Sequence, residues 1–458
     1  MSCFLLLEFT ALVIKDVFGV IYAPHKTFKR IAQNPKYLAI VIIVVLFVSL
    51  QTTYYYGYYS KVKYEQTMPP LNQLDAFTAP AATSTVLDSI MPLVDKPWTT
   101  SEGASIGINK ADYISQNFYG NNSLQFILFN GNRLSATLEQ FGYTVNCGQD
   151  GFTLLSMSIK QGSPEVAQPT KGAITLYTAN STSNYFTLDI TSMLKDSGIN
   201  NYNEWNNLTI PVGASAEWQS TGTPDWSDVT GLQLDLTYPE SSNVDVLLQG
   251  IFFRGQYLTY ISVSGTGSFL GYAAFSNVMQ IAFQWLILAA VVYVLFKCFK
   301  IANVVWRPIF IVMGFALMAL VVVAAIGILS TFTLQTVCCP YDFPPYGALV
   351  YPEAFVNNAS PASQIVYEEL VATTSTYTTI TTALNIFMYI LQAVIITFAV
   401  KAVSGISYAK PSSDAENPEV VTAVPVSELS YAKSIIIAVS TVILATIILL
   451  LLSFLGLF

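Results

Sequence analysis

The sequence predicts a multi-domain membrane protein, an α-helical bundle of five transmembrane helices with an all-β sandwich held outside the cell between helices 1 and 2. Three observations predict it. Only 10% of the 458 residues are charged and 53% are hydrophobic, against roughly 25% charged in a typical soluble chain, so much of the protein must lie away from water. Five stretches stay apolar over about 20 residues, the length that crosses a hydrocarbon core roughly 30 Å thick at about 1.5 Å per helical residue. Between the first two of them the composition turns to Asn, Ser, Thr, Gly and Asp, and short segments alternate apolar with polar at period two.

Residues 1–36 form a cytoplasmic amphipathic segment, followed by helix 1 at 37–60. That helix opens on YLAIVIIVVLFVSL and closes on Tyr54, Tyr55, Tyr56, Tyr58 and Tyr59, an interfacial aromatic belt. Helices 2 and 3 span 270–298 and 306–334, helix 4 spans 373–402 with a threonine-rich first turn, and helix 5 spans 433–458. An extracellular loop, 335–372, and a cytoplasmic loop, 403–432, join the last three. Orientation follows from the basic residues, which resist translocation. Lys15, Lys26, Lys29, Arg30, Lys36, Lys297, Lys300, Arg307, Lys401, Lys410 and Lys433 all fall on one side, while loop 335–372 holds no Lys or Arg. The N-terminus is therefore expected in the cytoplasm, with the β domain and the C-terminus outside a multi-pass cell membrane protein. The sequons at Asn121, Asn180, Asn207 and Asn358 all lie in outside segments and are candidate glycosylation sites.

The first 22 residues are apolar but carry Glu8, Lys15 and Asp16, with no basic leader and no A-x-A site, so a cleaved signal peptide is not expected. At about 100° per residue Glu8 and Lys15 share one narrow stripe, the pattern of a helix lying on the cytoplasmic face. The alternative, a sixth span, would bury charges in lipid.

Residues 61–265 hold the strands: SLQFILFN from Ser123, RLSATLEQ from Arg133, FTLLSMSI from Phe152, AITLYT from Ala173, YFTLDI from Tyr185, WNNLTIPV from Trp205, GLQLDLTY from Gly231 and VDVLLQGIFF from Val244. Turn residues separate them, which predicts an antiparallel sandwich. Residues 66–100, rich in proline, are expected as a loop or stalk.

Composition excludes several functions. The net charge of -8 offers no basic footprint for nucleic acid. His25 is the single histidine and the five cysteines are scattered, so neither a histidine-based metal site nor a cofactor is expected. One G-x-S-x-G spacing occurs, over 103–107, but the chain has a single histidine, His25, in the expected cytoplasmic segment to partner it; no P-loop or H-E-x-x-H pattern occurs, and the chain is expected not to be an enzyme. Trp98, Trp205, Trp218 and Trp226 have flat faces suited to a pyranose ring. Trp205 and Trp226 start strands and read as core; Trp218, between Glu217 and Gln219, is the foremost ligand-binding candidate, with Trp98 beside it. Asp225 with Asp228, or Asp235 with Asp245, have the chemistry for calcium or acid/base work, but solvated surface acids weigh more. Cys147, Cys338 and Cys339, all on the outside, are disulfide candidates, whereas Cys3 and Cys298 lie near the cytoplasmic interface. Between their flanking basic residues the spans lack ionisable side chains, which speaks against ion or proton coupling. Asn277, Gln280, Gln284, Asn385 and Gln392 suit helix-to-helix hydrogen bonding.

Two resemblances add to this reading. WNNLTIPVG from Trp205, PDWSDVTGLQLDL from Pro224 and VDVLLQGIFFRG from Val244 resemble the last strands of galactose-binding-like jelly rolls, the sandwich of many carbohydrate-binding modules. Such modules often carry an acidic residue where this chain has Gln249 and Gly250, so the resemblance implies the jelly-roll-like fold and leaves a glycan or calcium role unassigned. In the membrane part, IYAPHKTFKRIAQNPK before the first span, AVSGISYAK from Ala402 and LSYAKSIIIAV from Leu429 resemble the Yip domain family of Ypt/Rab-interacting membrane proteins. That resemblance implies a cytoplasmic N-terminus, five helices and an external C-terminus. The D-L-Y-G-P segment of eukaryotic members is missing, so Rab binding and vesicle trafficking do not follow; the composition suits an archaeal cell surface. The expected function is non-enzymatic: a bundle in the lipid bilayer displays a β-sandwich that binds a surface glycan, an envelope protein or a membrane-protein partner, including a second copy. The alternative is an accessory subunit of a transport or secretion complex.

Overall fold

The computed structural model describes residues 13–71, 74–78, 98–115, 120–165, 167–196, 203–214, 216–301, 305–341, 361–408, 423–425 and 428–454. It forms two compact units, one holding Met1–Lys63, Thr259–Val337 and Val356–Phe458, the other Tyr64–Leu258 and Cys338–Phe355. Glu8 of the expected polar stripe, the Asn358 sequon, Cys3, and most of loops 335–372 and 403–432 lie outside the described residues.

In the first unit residues 13–22 form α1 and Pro24–Gln33 form α2, which opens with proline in its first turn, where the missing N–H is no loss. Val13, Val17 and Val20 of α1 are buried while Ile14, Phe18 and Ile21 on the other face are exposed. Arg30 Nε donates to Asp16 Oδ1 at 2.8 Å, tying α2 to α1. The longer helices are α3 (Leu38–Tyr59), α4 (Thr266–Cys298), α5 (Trp306–Ala316) running on into α6 (Met318–Ser330), α7 (Pro361–Ser404) and α8 (Tyr431–Phe454). Five helices are long and apolar enough to cross a membrane, with α5 and α6 counting as one. That third one is the hub, 72% of its most apolar stretch being buried against 22% for α3 and for α8. α8 buries Ser434, Ile437, Ala438, Thr441, Val442 and Ala445, and exposes Ile436, Ile443, Leu451 and Phe454. Four of the six buried residues are small, which lets helices approach closely.

α7 starts at Pro361, inside the loop expected at 335–372. Threonines do not interrupt it, because their hydroxyls bond back to the helix: Thr379 Oγ1 donates to the Ser375 carbonyl at 2.9 Å and Thr381 Oγ1 to the Tyr377 carbonyl at 3.0 Å. Among the polar residues of the spans Asn277 behaves as a clasp, its Nδ2 donating to Thr52 Oγ1 at 3.1 Å.

The second unit is built on β1 (Val62–Met68), β2 (Thr99–Thr100), β3 (Ala104–Asn109), β4 (Ser123–Leu138), β5 (Leu154–Ser163), β6 (Lys171–Thr178), β7 (Ser181–Asp189), β8 (Asn206–Pro211), β9 (Gln219–Thr221), β10 (Val229–Thr259) and β11 (Val337–Cys339). β4 and β10 run antiparallel from Leu232 opposite Leu138 to Leu248 opposite Leu124. The first half of β10 pairs with β6, which pairs with β7 and then β9; its second half pairs with β5, which pairs with β8. One core takes side chains from both halves: Leu232, Leu234 and Leu236, then Val244, Val246 and Leu248, alternate residues along β10, are all buried, as a strand with one inner face requires.

Sequence alternation predicts separate strands over 123–130 and 133–140, and again over 231–238 and 244–253. Each pair is instead one bent strand, because pairing survives the bend through register shifts at Thr237, Ser242 and Val244. Asn130 takes φ +49° there and its N–H donates to Asn243 Oδ1 at 3.2 Å. The expected stalk is corrected in part: Phe77 is fully buried in the β core, and Leu74 is fully buried as well, while residues 79–97 lie outside the described residues.

Candidate functional site

Trp218 stands just before the edge strand β9, whose Gln219, Ser220 and Thr221 are all exposed. Its indole N–H donates to the Pro211 carbonyl at 2.9 Å. The ring meets Trp226 edge-on, centroids 5.5 Å apart at 79°, and Trp226 lies flat on Phe186 at 3.8 Å and 8°. Phe186 comes from β7, opposite Ser220 of β9, so the aromatic stack is anchored on two paired strands. Both tryptophans are half-buried and pack on the β core. Trp218 is thus a fixed, partly exposed apolar plane that the exposed polar strand β9 follows directly in the chain.

Trp98, the companion candidate, lies in the β core: it is 9% exposed, its Nε1 donates to the Phe77 carbonyl at 2.7 Å, and its ring meets Phe126 edge-on. A core that has to satisfy one indole N–H does so with a backbone oxygen. Trp205 is half-buried and donates to Asp112 Oδ1 at 3.1 Å.

The acidic pairs have structural partners. Asp225 accepts from the Ser227 backbone N–H at 2.8 Å, which holds its carboxyl below the usual range. Asp235 is bound by Arg133 at 3.2 Å and Gln233 at 2.7 Å, and Asp245 by Gln125 at 2.9 Å. Among the described residues no cluster of His, Cys, Asp and Glu has the makings of a metal site. Among the described residues the disulfide candidates Cys147, Cys338 and Cys339 stand unpaired. Burial pushes the Cys147 thiol up to about 12 and that of Cys339 to about 11, so neither is a ready nucleophile. The sequon residues Asn121, Asn180 and Asn207 are exposed.

A second surface feature escaped the sequence. Ser156, Ser158, Asn207, Thr209, Arg254 and Tyr341 line a recess of about 70 Å³. Arg254 Nη2 donates to Thr209 Oγ1 at 3.4 Å and the guanidinium lies 5.7 Å from the Tyr341 ring centroid. The buried carboxylate of Glu65 accepts the N–H groups of Gly255 at 2.9 Å and Tyr341 at 3.0 Å, fixing that corner. At about 30 Å³ per water the recess holds water rather than a sugar ring. Tyr341 is far from the others in sequence, and no local pattern announces it.

No family model matches the chain, and no curated protein matches it. Solved structures do align. A family 11 carbohydrate-binding module from Clostridium thermocellum, in complex with a β-1,3-1,4-mixed-linked tetrasaccharide, is 13% identical over 34% of this chain and 86% of that one, TM-score 0.23. A xylan-binding domain from Paenibacillus barcinonensis is 10% identical over 35% of this chain and 91% of that one, TM-score 0.21. A β-1,2-glucanase from Parabacteroides distasonis is 18% identical over 34% of this chain and 22% of that one, TM-score 0.24. Likenesses of this strength carry no argument about function.

Proposed function

We propose that this chain is a non-enzymatic integral membrane protein that holds its β unit outside the cell and binds a neutral glycan against Trp218. The observation that carries the reading is the immobilised Trp218 plane, pinned through Pro211 and Trp226 and followed in the chain by the exposed polar residues Gln219, Ser220 and Thr221. An aromatic face covers the C–H face of a pyranose, the polar residues that follow it meet its hydroxyls, and a ring already held in place loses little freedom on binding. The outward orientation is supported by the basic residues at Lys26, Lys29, Arg30, Lys36, Lys297, Lys300 and Arg307, all of which it leaves in the cytoplasm. The likeness of the helical part to the Yip domain family enters this proposal as a helix arrangement and adds no activity.

Binding of the full chain in lipid nanodiscs to immobilised neutral polysaccharides tests it. Trp218→Ala is expected to weaken binding by about tenfold or more, whereas Phe129→Ala, exposed elsewhere on the same unit, leaves it unchanged. Absence of binding by the native chain, or equal binding by Trp218→Ala, contradicts the reading.

A further inference from the structure

The helical unit encloses a cavity of about 580 Å³, and α3, α4, α6, α7 and α8 all contribute to its wall. Five carboxamides converge there: Gln51, Gln280, Gln284, Asn385 and Gln392 line it, and no Asp, Glu, Lys, Arg or His does. Gln392 is 2% exposed and its Nε2 is buried with no hydrogen-bond partner. A buried donor left unpaired opposes folding, and native interiors rarely keep one. Asn277, one helical turn from Gln280, places its Nδ2 on Thr52 Oγ1 across the helix interface, while its buried Oδ1 also stays without a partner.

A second recess of about 530 Å³ lies against the first, the two sharing Gln280, Gln284, Leu449 and Ser453 in their walls. Its other wall includes Tyr272, Phe275 and Met279, which are 76%, 66% and 38% exposed. Between α4 and α8 only the shared Gln280, Gln284, Leu449 and Ser453 therefore stand between the amide chamber and a recess on the apolar outer surface of the bundle.

We infer that this chamber is a binding site for an uncharged, hydroxyl-bearing lipid, whose head is held by the five carboxamides and whose chain leaves between α4 and α8. The absence of Asp, Glu, Lys, Arg and His from the described wall sets the charge, because an ionised head buried there would have no counter-charge. Carboxamides donate and accept at once, which matches hydroxyl groups, and Gln392 Nε2 supplies the donor that a head-group oxygen satisfies. The adjoining recess on the outer surface sets the source as the bilayer. The inference is independent of the Trp218 reading.

Native mass spectrometry of the full chain in mild detergent, titrated with dioleoylglycerol, dioleoylphosphatidylglycerol or glycerol, tests it. Dioleoylglycerol is expected to form a one-to-one complex at least about tenfold tighter than the anionic lipid. Gln392→Leu should abolish that preference while raising the melting temperature of the lipid-free protein, since it removes the unpaired donor; a merely structural glutamine would show the opposite change in melting. Ile443→Ala, outside the chamber and 54% exposed, should bind as the native chain does. Equal or tighter binding of the anionic lipid, saturation by glycerol alone, or unaltered binding by Gln392→Leu would overturn the inference.

Discussion

The two ends of the helical unit are made of the same helices and differ in what fills them. At one end Ile40 and Ile43 of α3, Val292 and Phe296 of α4, Ile309 and Phe315 of α5, Ile396 and Val400 of α7, and Ile437 of α8 are fully or nearly fully buried in one cluster. Approach is close enough that a Cβ on Gly314 would meet Ile40 side-chain carbons at 2.8 Å. At the other end Gln51, Gln280, Asn385 and Ser453 surround a cavity. Hydropathy barely separates the two, since every span is strongly apolar. What separates them is side-chain chemistry: aliphatic groups interlock without needing partners, whereas amides that do not meet one another hold space open. A bundle in lipid has no hydrophobic drive between helices and depends on packing, so the packed end carries stability and the hollow end is free for ligand.

The largest effect expected from that contrast is at the packed end. Phe315→Ala should cost about 3–5 kcal/mol, as buried aromatic truncations do, measured by denaturant unfolding in mixed micelles, while Ile443→Ala on the lipid-facing side should cost under about 1 kcal/mol. Comparable losses at both positions would erase the distinction between packing face and lipid face.

A smaller effect belongs to the polar clasp beyond the packed end. Glu428 binds Lys29 and Lys401, both at 3.2 Å, and Lys401 also donates to the Leu429 carbonyl at 3.1 Å and lies 4.1 Å from the Tyr431 ring centroid. Hydrogen bonds from Lys29 and Lys401 hold the Glu428 carboxyl below its ordinary 4.5. A depressed carboxylate stabilises the fold above its unfolded-state value, and the contribution disappears as pH falls through the folded-state value. Glu428→Gln is therefore expected to melt about 2–4 °C lower than the native chain at pH 7, with the gap closing below pH 4.5. A gap that persists or widens in acid would show that the clasp acts by shape rather than charge.

Much of this molecule was legible in its sequence, for stated physical reasons. Runs without Asp, Glu, Lys, Arg or His announced the five helices long and apolar enough to cross a membrane, and period-two alternation announced the strands of the β unit. Misreadings came where local signals were ambiguous. Residues 361–372 read as the end of a loop, yet α7 takes them in from Pro361 onward. Asn130 and Gly131 read as a turn between strands, and pairing with β10 carries β4 through them. A tryptophan after a proline-rich stretch reads the same whether it plugs a core or faces a ligand; Trp98 and Trp218 part ways only through Phe77 and Pro211. Membrane amides pose the same problem. Asn277, Gln280 and Gln284 share one face of α4, and only the positions of α3, α7 and α8 decide that the first is a clasp and the other two line a chamber.

The account turns on the chain crossing the bilayer with its β unit outside. In a cysteine-free background, Ser183→Cys on β7 and Lys300→Cys just after α4 place single exposed thiols on the two sides, and intact cells are treated with a membrane-impermeant maleimide. The account predicts labelling at 183 at once and at 300 only after the membrane is permeabilised; labelling at 300 with protection at 183 would contradict it.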